Sequence, residues 1–160
     1  MNTPTREQWN SVIGPLKAYG HKLPKDVDMM QIGYDHSCKT PMCFAGNFMV
    51  SSGLYKESRI YGYDEGANLI AKNLGFINRE ELLFWAKDHP EKWGNTMGYG
   101  LFSSPKAFLP ERSKEKLTTA KLIAWLEGVR DRCDPQLPVA EISNWNKTIN
   151  KWPNRLEVTV

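Results

Sequence analysis

Apolar residues recur at helical spacing along most of this chain. Trp9, Val12, Ile13 and Leu16 fall three and four apart, which puts them on one face of a helix predicted from about Thr5 to Tyr19. Gly20 supplies its stop, because glycine takes up the left-handed backbone of a helix end without a steric penalty. Pro15 breaks the pattern: it has no N–H to donate, and is expected to kink this helix or end it early. Met30, Ile32 and Tyr34 then alternate, as in a short strand over residues 29–34. Thr40 and Pro41 have the grammar of a helix start, a capping hydroxyl followed by proline at the first helical position. In the helix they launch, Phe44 and Phe48 share a face, Ala45 and Gly46 admit a close neighbour, and Gly53 closes it.

Asp64 is expected to cap the next helix, whose stripe is Ala67, Ile70, Ala71 and Leu74, with Gly75 at its end. Asn78 starts another at once. Glu81 sits three residues on, as in a capping box, and Ile77 with Leu82 has the spacing of a hydrophobic staple. This helix carries Leu82 to Ala86 and is expected to end before Pro90. Thr118 or Ser113 opens the last strong helix, with Leu122, Trp125, Leu126, Val129 and Cys133 on one stripe and Arg130 and Arg132 in the final turns, where cations suit the dipole. Beyond Asp134-Pro135, residues Ile142, Trp145, Ile149 and Trp152 fit a further helix. Leu156, Val158 and Val160 then alternate as a terminal strand.

The expected fold is therefore mostly α: one domain over residues 1–160, about five helices, and minor strand pairing between residues 29–34 and the C-terminal tail. Its core is expected from Trp9, Phe44, Phe48, Ile70, Leu74, Leu82, Trp85, Leu122, Trp125 and Leu126. With 160 residues, 41% of them apolar, the chain can build such a core without metal or disulfide. A net charge of +3 is far from the acidic excess of a nucleic-acid mimic and short of the basic bias of a dedicated DNA-binding domain. Three cysteines, an odd number, suit reduced thiols in a cytoplasm better than a disulfide scaffold. The first residues lack the sections of a signal peptide, and no apolar run approaches the roughly 18 residues of a membrane span, so a cytoplasmic protein without a membrane partner is expected. No phosphate-cradling glycine loop, zinc-protease motif, nucleophile elbow or calcium loop is present, and no cofactor is expected.

Candidate chemistry begins at the segment YDHSCKTPMCFAGNFMVSSG. If Thr40 caps the helix, Cys43 is its third residue, where the positive end of the dipole favours a thiolate. His36 lies nearby in sequence and His89 further off, so Cys43 with His36 is one conceivable nucleophile and base. His36, Cys38, Cys43 and His89 are a conceivable zinc set, although the gap between the cysteines is loose for zinc and no second compact pair follows. The plainest alternative is packing, because Met42 and Phe44 flank Cys43 and free cysteine is among the most buried residue types.

The same segment carries a resemblance. Asp28-Met29, then Cys38, Thr40, Cys43 and Ala45-Gly46, is similar to a group of small proteins of bacteria and their phages. In these an Asp-Met segment precedes a Cys-Gly-Thr-x-x-Cys-x-Ala-Gly helix start; here Lys39 stands in place of the glycine. The similarity runs from about Met29 to Arg130. It implies a helical fold and a phage or bacterial source, and it implies no chemistry.

The stretch GNTMGYGLFSSPKAFLP, residues 94–110, is too rich in glycine, proline and serine for a long helix, yet it carries several large apolar side chains. A loop this long is either pinned to the core by its aromatics or used for binding. In the second case Met97, Tyr99 and Phe102, with Lys106, Arg112 and Lys114 beside them, form a contact surface of the aromatic and basic kind that interfaces concentrate. The sequence holds no assembled catalytic site, so a non-enzymatic binding protein is expected, phage-encoded and modulating a host protein through this surface. Two rivals remain: a cysteine-dependent enzyme or zinc-supported module on Cys38 and Cys43 with His36 or His89, and a nucleic-acid-binding protein. The latter would use the basic stretch from Lys106 to Lys121 and the group Lys147, Lys151 and Arg155 with Trp145 and Trp152. A small anion held at a helix start, Thr40 or Asn78, is a further alternative.

Overall fold

The computed structural model describes residues 2–27, 43–53 and 63–137. Within them lie six α-helices: α1 (Arg6–Tyr19), α2 (Phe44–Ser51), α3 (Tyr63–Asn73), α4 (Arg79–Asp88), α5 (Pro90–Trp93) and α6 (Thr119–Cys133). The fold is mostly α, and the described residues contain no strand. The expected segment at 29–34 and the helix and strand of the tail lie outside the described residues. One antiparallel bridge joins Asp26 to Thr118. Val27 N–H donates to the Leu117 carbonyl and Thr119 N–H to that of Lys25, so the chain leaving α1 is tied to the start of α6.

All the residues expected in the core are buried. Helix α6 sits at the centre: its buried residues include Leu122, Ile123, Trp125, Leu126, Gly128 and Val129, a wider arc than the predicted stripe. Helix α1 packs on α6, α2 and α3. A capping box at its start pairs the Thr5 hydroxyl with Gln8 N–H and the Gln8 side chain with Thr5 N–H. The helix does not stop early at Pro15; it continues to Tyr19. Proline costs about 3 kcal/mol inside a helix. Val12 and Ile13 before it and Leu16 after it are all buried, at about 1.5–3 kcal/mol each, so packing on both sides outweighs the lost bond.

Three local expectations are corrected. Cys43 is not the third residue of α2: its backbone is extended (φ −70°, ψ 177°), and it is the N-cap, with Sγ accepting the Gly46 N–H at 3.4 Å. Thr40 itself lies outside the described residues. Helix α3 begins at Tyr63, so Asp64 lies within the first turn and not before it. Asn78 does cap α4, its side chain accepting the Glu81 N–H at 3.0 Å, but the staple is not made. Leu82 is buried while Ile77 is 74% exposed. The close approach expected at Ala45 is with α3: a Cβ on Gly66 would stand 3.0 Å from Ala45 Cβ and 3.2 Å from Met49 Cγ.

Candidate functional site

The segment from Gly94 to Pro110 is built into the core by aromatic packing and one asparagine. Phe102 stacks on Phe44 with centroids 5.7 Å apart, and Phe108 meets Phe44 and Trp93 edge-on at 5.4 and 5.6 Å. The Trp93 indole N–H donates to the Ala107 carbonyl at 2.7 Å. Asn95, buried between the two arms of the segment, donates from Nδ2 to the carbonyls of Lys106 (3.0 Å) and Leu109 (2.9 Å), while its Oδ1 accepts the Met97 N–H (2.8 Å). Gly98 lies against α4, where a Cβ would collide with Ala86 at 2.9 Å. Two short 3-10 turns, Gly98–Gly100 and Pro105–Phe108, replace the irregular loop that composition suggested.

This architecture divides the six residues expected at the contact surface. Phe102 is only 2% exposed, so it is core and no part of an exposed surface. Tyr99 is half in water, its hydroxyl 3.3 Å from the Met97 sulfur. Met97, Lys106, Arg112 and Lys114 come together on one cleft of about 390 Å³, together with Thr96 and Glu111. Lys106, Arg112 and Lys114 make no side-chain hydrogen bond or ion pair with another described residue. The other cations of the stretch are neutralised: Lys116 pairs with Asp26 at 3.1 Å and Lys121 with Glu115 at 3.1 Å.

The wall of the cleft is a tight turn, in which Ser113 N–H donates to the Pro110 carbonyl at 3.0 Å. Arg112 occupies the turn position that normally takes glycine, with φ +62°. For an L side chain that backbone costs roughly 1–2 kcal/mol. Glu111 anchors the turn, its Oε1 accepting both the Thr96 N–H (2.9 Å) and the Thr96 hydroxyl (2.8 Å). Those two bonds hold the carboxyl below its ordinary value. Neither the asparagine clamp nor this anchor was foreseen. Asn and Glu in a glycine-rich stretch read as ordinary turn and surface residues, and only the folded chain brings residues 95 and 96 to residues 106–111.

The cysteine candidates divide differently. His36 and Cys38 lie outside the described residues. Cys43 is 1% exposed, its sulfur taking a backbone N–H as a capping hydroxyl would. His89 follows α4, half-buried, with its ring stacked on Trp85 at 5.4 Å and Nδ1 donating to the Trp85 carbonyl at 2.9 Å. Cys133 is buried under α1, and its thiol is pushed up to about 11 by burial. Among the described residues no three His, Cys, Asp or Glu side chains form a group that could hold a metal ion, and no helix is long and apolar enough to cross a membrane. Of the proposed anion-binding helix starts, Asn78 uses its own side chain on the Glu81 N–H.

Compared with known proteins, the chain matches no family model, no characterised protein and no solved structure.

Proposed function

We propose that the protein is a non-enzymatic binding module that takes an acidic segment of a partner protein into the cleft between Met97 and Lys114. One observation carries this reading: Lys106, Arg112 and Lys114 line a single cleft in which, among the described residues, Glu111 is the one carboxylate and forms no ion pair with them, while their neighbours Lys116 and Lys121 are paired. Three cations against one carboxylate leave the cleft net positive, which attracts a carboxylate-rich segment and speeds its encounter. Met97 and the exposed Tyr99 add apolar area beside them, and arginine suits planar, bidentate contact with carboxylate. The resemblance to proteins of bacteria and their phages makes a bacterial host protein the partner class. The cleft sits on a framework held by Asn95 and Phe108, so its shape precedes binding.

The test uses a fluorescent peptide of alternating Glu and Leu residues and follows its anisotropy. Binding is expected to weaken as ionic strength rises past the range where the Debye length is about 10 Å. The triple variant Lys106→Ala, Arg112→Ala, Lys114→Ala is expected to lose most of the binding with its melting temperature unchanged. Salt-independent binding, or a triple variant that binds like the wild type, removes the basis for this function.

A further inference from the structure

A second cleft, of about 500 Å³, opens beside the basic one. Asn95, Thr96, Pro110 and Glu111 line both, so the two meet along the hydrogen-bonded pair of Thr96 and Glu111, which are exposed. The rest of its lining is Pro90, Glu91, Gly94, Trp125 and Arg132. Both clefts present mainly apolar surface, and Asn95, buried at their junction, holds the backbone of residues 106 and 109 through its side chain. The two clefts therefore share one fixed wall.

Their charges differ. Three cations and one carboxylate line the basic cleft, whereas two carboxylates and one guanidinium line its neighbour. That guanidinium belongs to the framework. Arg132 is buried, its Nε donates to the Lys92 carbonyl and its Nη2 to the Trp93 carbonyl, each at 2.8 Å, and it lies 5.6 Å from the centre of the Trp125 ring. Glu91 makes no hydrogen bond or ion pair with a described residue. An acidic side chain is thus favoured in one cleft and opposed in the other, because like charges brought together cost affinity. At the junction Glu111 uses only Oε1 on Thr96, so Oε2 can accept a backbone N–H from a chain that crosses there.

We infer that the partner segment extends past the basic cleft, crosses Thr96 and Glu111, and seats uncharged apolar residues in the second cleft against Pro90, Pro110 and Trp125. This inference rests on the proposed function and narrows it. The recognised motif has two parts, an acidic run joined to an apolar run without carboxylates, and the contrast in charge fixes which part lies in which cleft. A uniformly acidic segment engages the first cleft alone.

Fluorescence anisotropy with the whole protein at neutral pH tests this with labelled tetraglutamate, octaglutamate, and four glutamates joined to four leucines in either order. The better of the two mixed peptides is expected to bind at least about tenfold tighter than tetraglutamate, a factor that partial burial of one leucine supplies. Its salt dependence is expected to match that of tetraglutamate, since the added contacts carry no charge. Octaglutamate is expected to gain less than threefold. Glu91→Arg reverses a charge that lines only the second cleft; it is expected to leave tetraglutamate unchanged and to tighten octaglutamate several-fold. Salt-dependent binding of tetraglutamate with no gain from leucine in either order overturns the inference and leaves the basic cleft standing. So does an octaglutamate that gains as much as the mixed peptide, or one indifferent to Glu91→Arg. No binding by any of the four peptides removes both the inference and the function on which it rests.

Discussion

Phe102 and Tyr99 lie three residues apart in a glycine-rich segment and have opposite fates, because the 3-10 turn at Gly98–Gly100 turns one ring onto Phe44 and leaves the other in water. Phe102→Ser is expected to destabilise the protein by about 3–5 kcal/mol, the range for truncating a buried aromatic. In a chain of this size that lowers the melting temperature by roughly 10 °C. Tyr99→Ser is expected to stay within about 0.5 kcal/mol of the wild type. Thermal unfolding of the two variants checks the contrast, and equal small effects would put Phe102 at the surface. The thiols follow the same logic of burial. Cys43 and Cys133 are both enclosed, so iodoacetamide at neutral pH is expected to leave them unmodified in the folded protein and to alkylate them after unfolding in urea. Mass spectrometry of the labelled peptides reads this directly, and rapid native labelling of Cys43 would restore the nucleophile reading.

At the level of the helices, capping and packing carry separate parts of the structure. Thr5, Asn78 and Thr118 each accept a backbone N–H at a helix start, and all three are residue types that mark such starts in sequence. Pro15 runs against this local grammar and is tolerated because buried side chains on both sides of it hold α1 against its neighbours. Removing it is therefore expected to help. Pro15→Ala restores a donor and relieves the ring, worth about 3 kcal/mol in a helix interior, and gives back up to about 1 kcal/mol by loosening the unfolded chain. A net gain of about 2 kcal/mol, seen as a rise of several degrees in melting temperature, is expected. A fall would mean that Pro15 makes a packing contribution larger than its backbone cost.

Across the whole molecule the two ends of the described chain are joined by charge. Arg6 in the first turn of α1 bonds Asp131 at 2.8 Å and Asp134 at 2.6 Å, at the end of α6. The Arg6 guanidinium, and then the Gln136 N–H, hold the Asp134 carboxyl below its ordinary 3.8. A depressed carboxylate contributes stability above its unfolded pKa and loses it as pH falls through the lower folded value. Denaturant unfolding is thus expected to show stability declining as pH drops below about 4, with a shallower decline in Asp134→Asn. An unchanged slope in the variant would show that this link adds nothing to acid sensitivity. By itself the sequence determined the helical class, the caps at Asn78 and Thr118 and the core residues set by periodicity, because helical periodicity and capping chemistry act within a few neighbouring residues. Tertiary structure alone decided that Phe102 is core and that Cys43 is a cap. It also decided that Lys106, Arg112 and Lys114 share a cleft and that Arg132 lines another together with Glu91 and Glu111. Those outcomes depend on which distant segments come together, and spacing along the chain carries no record of that.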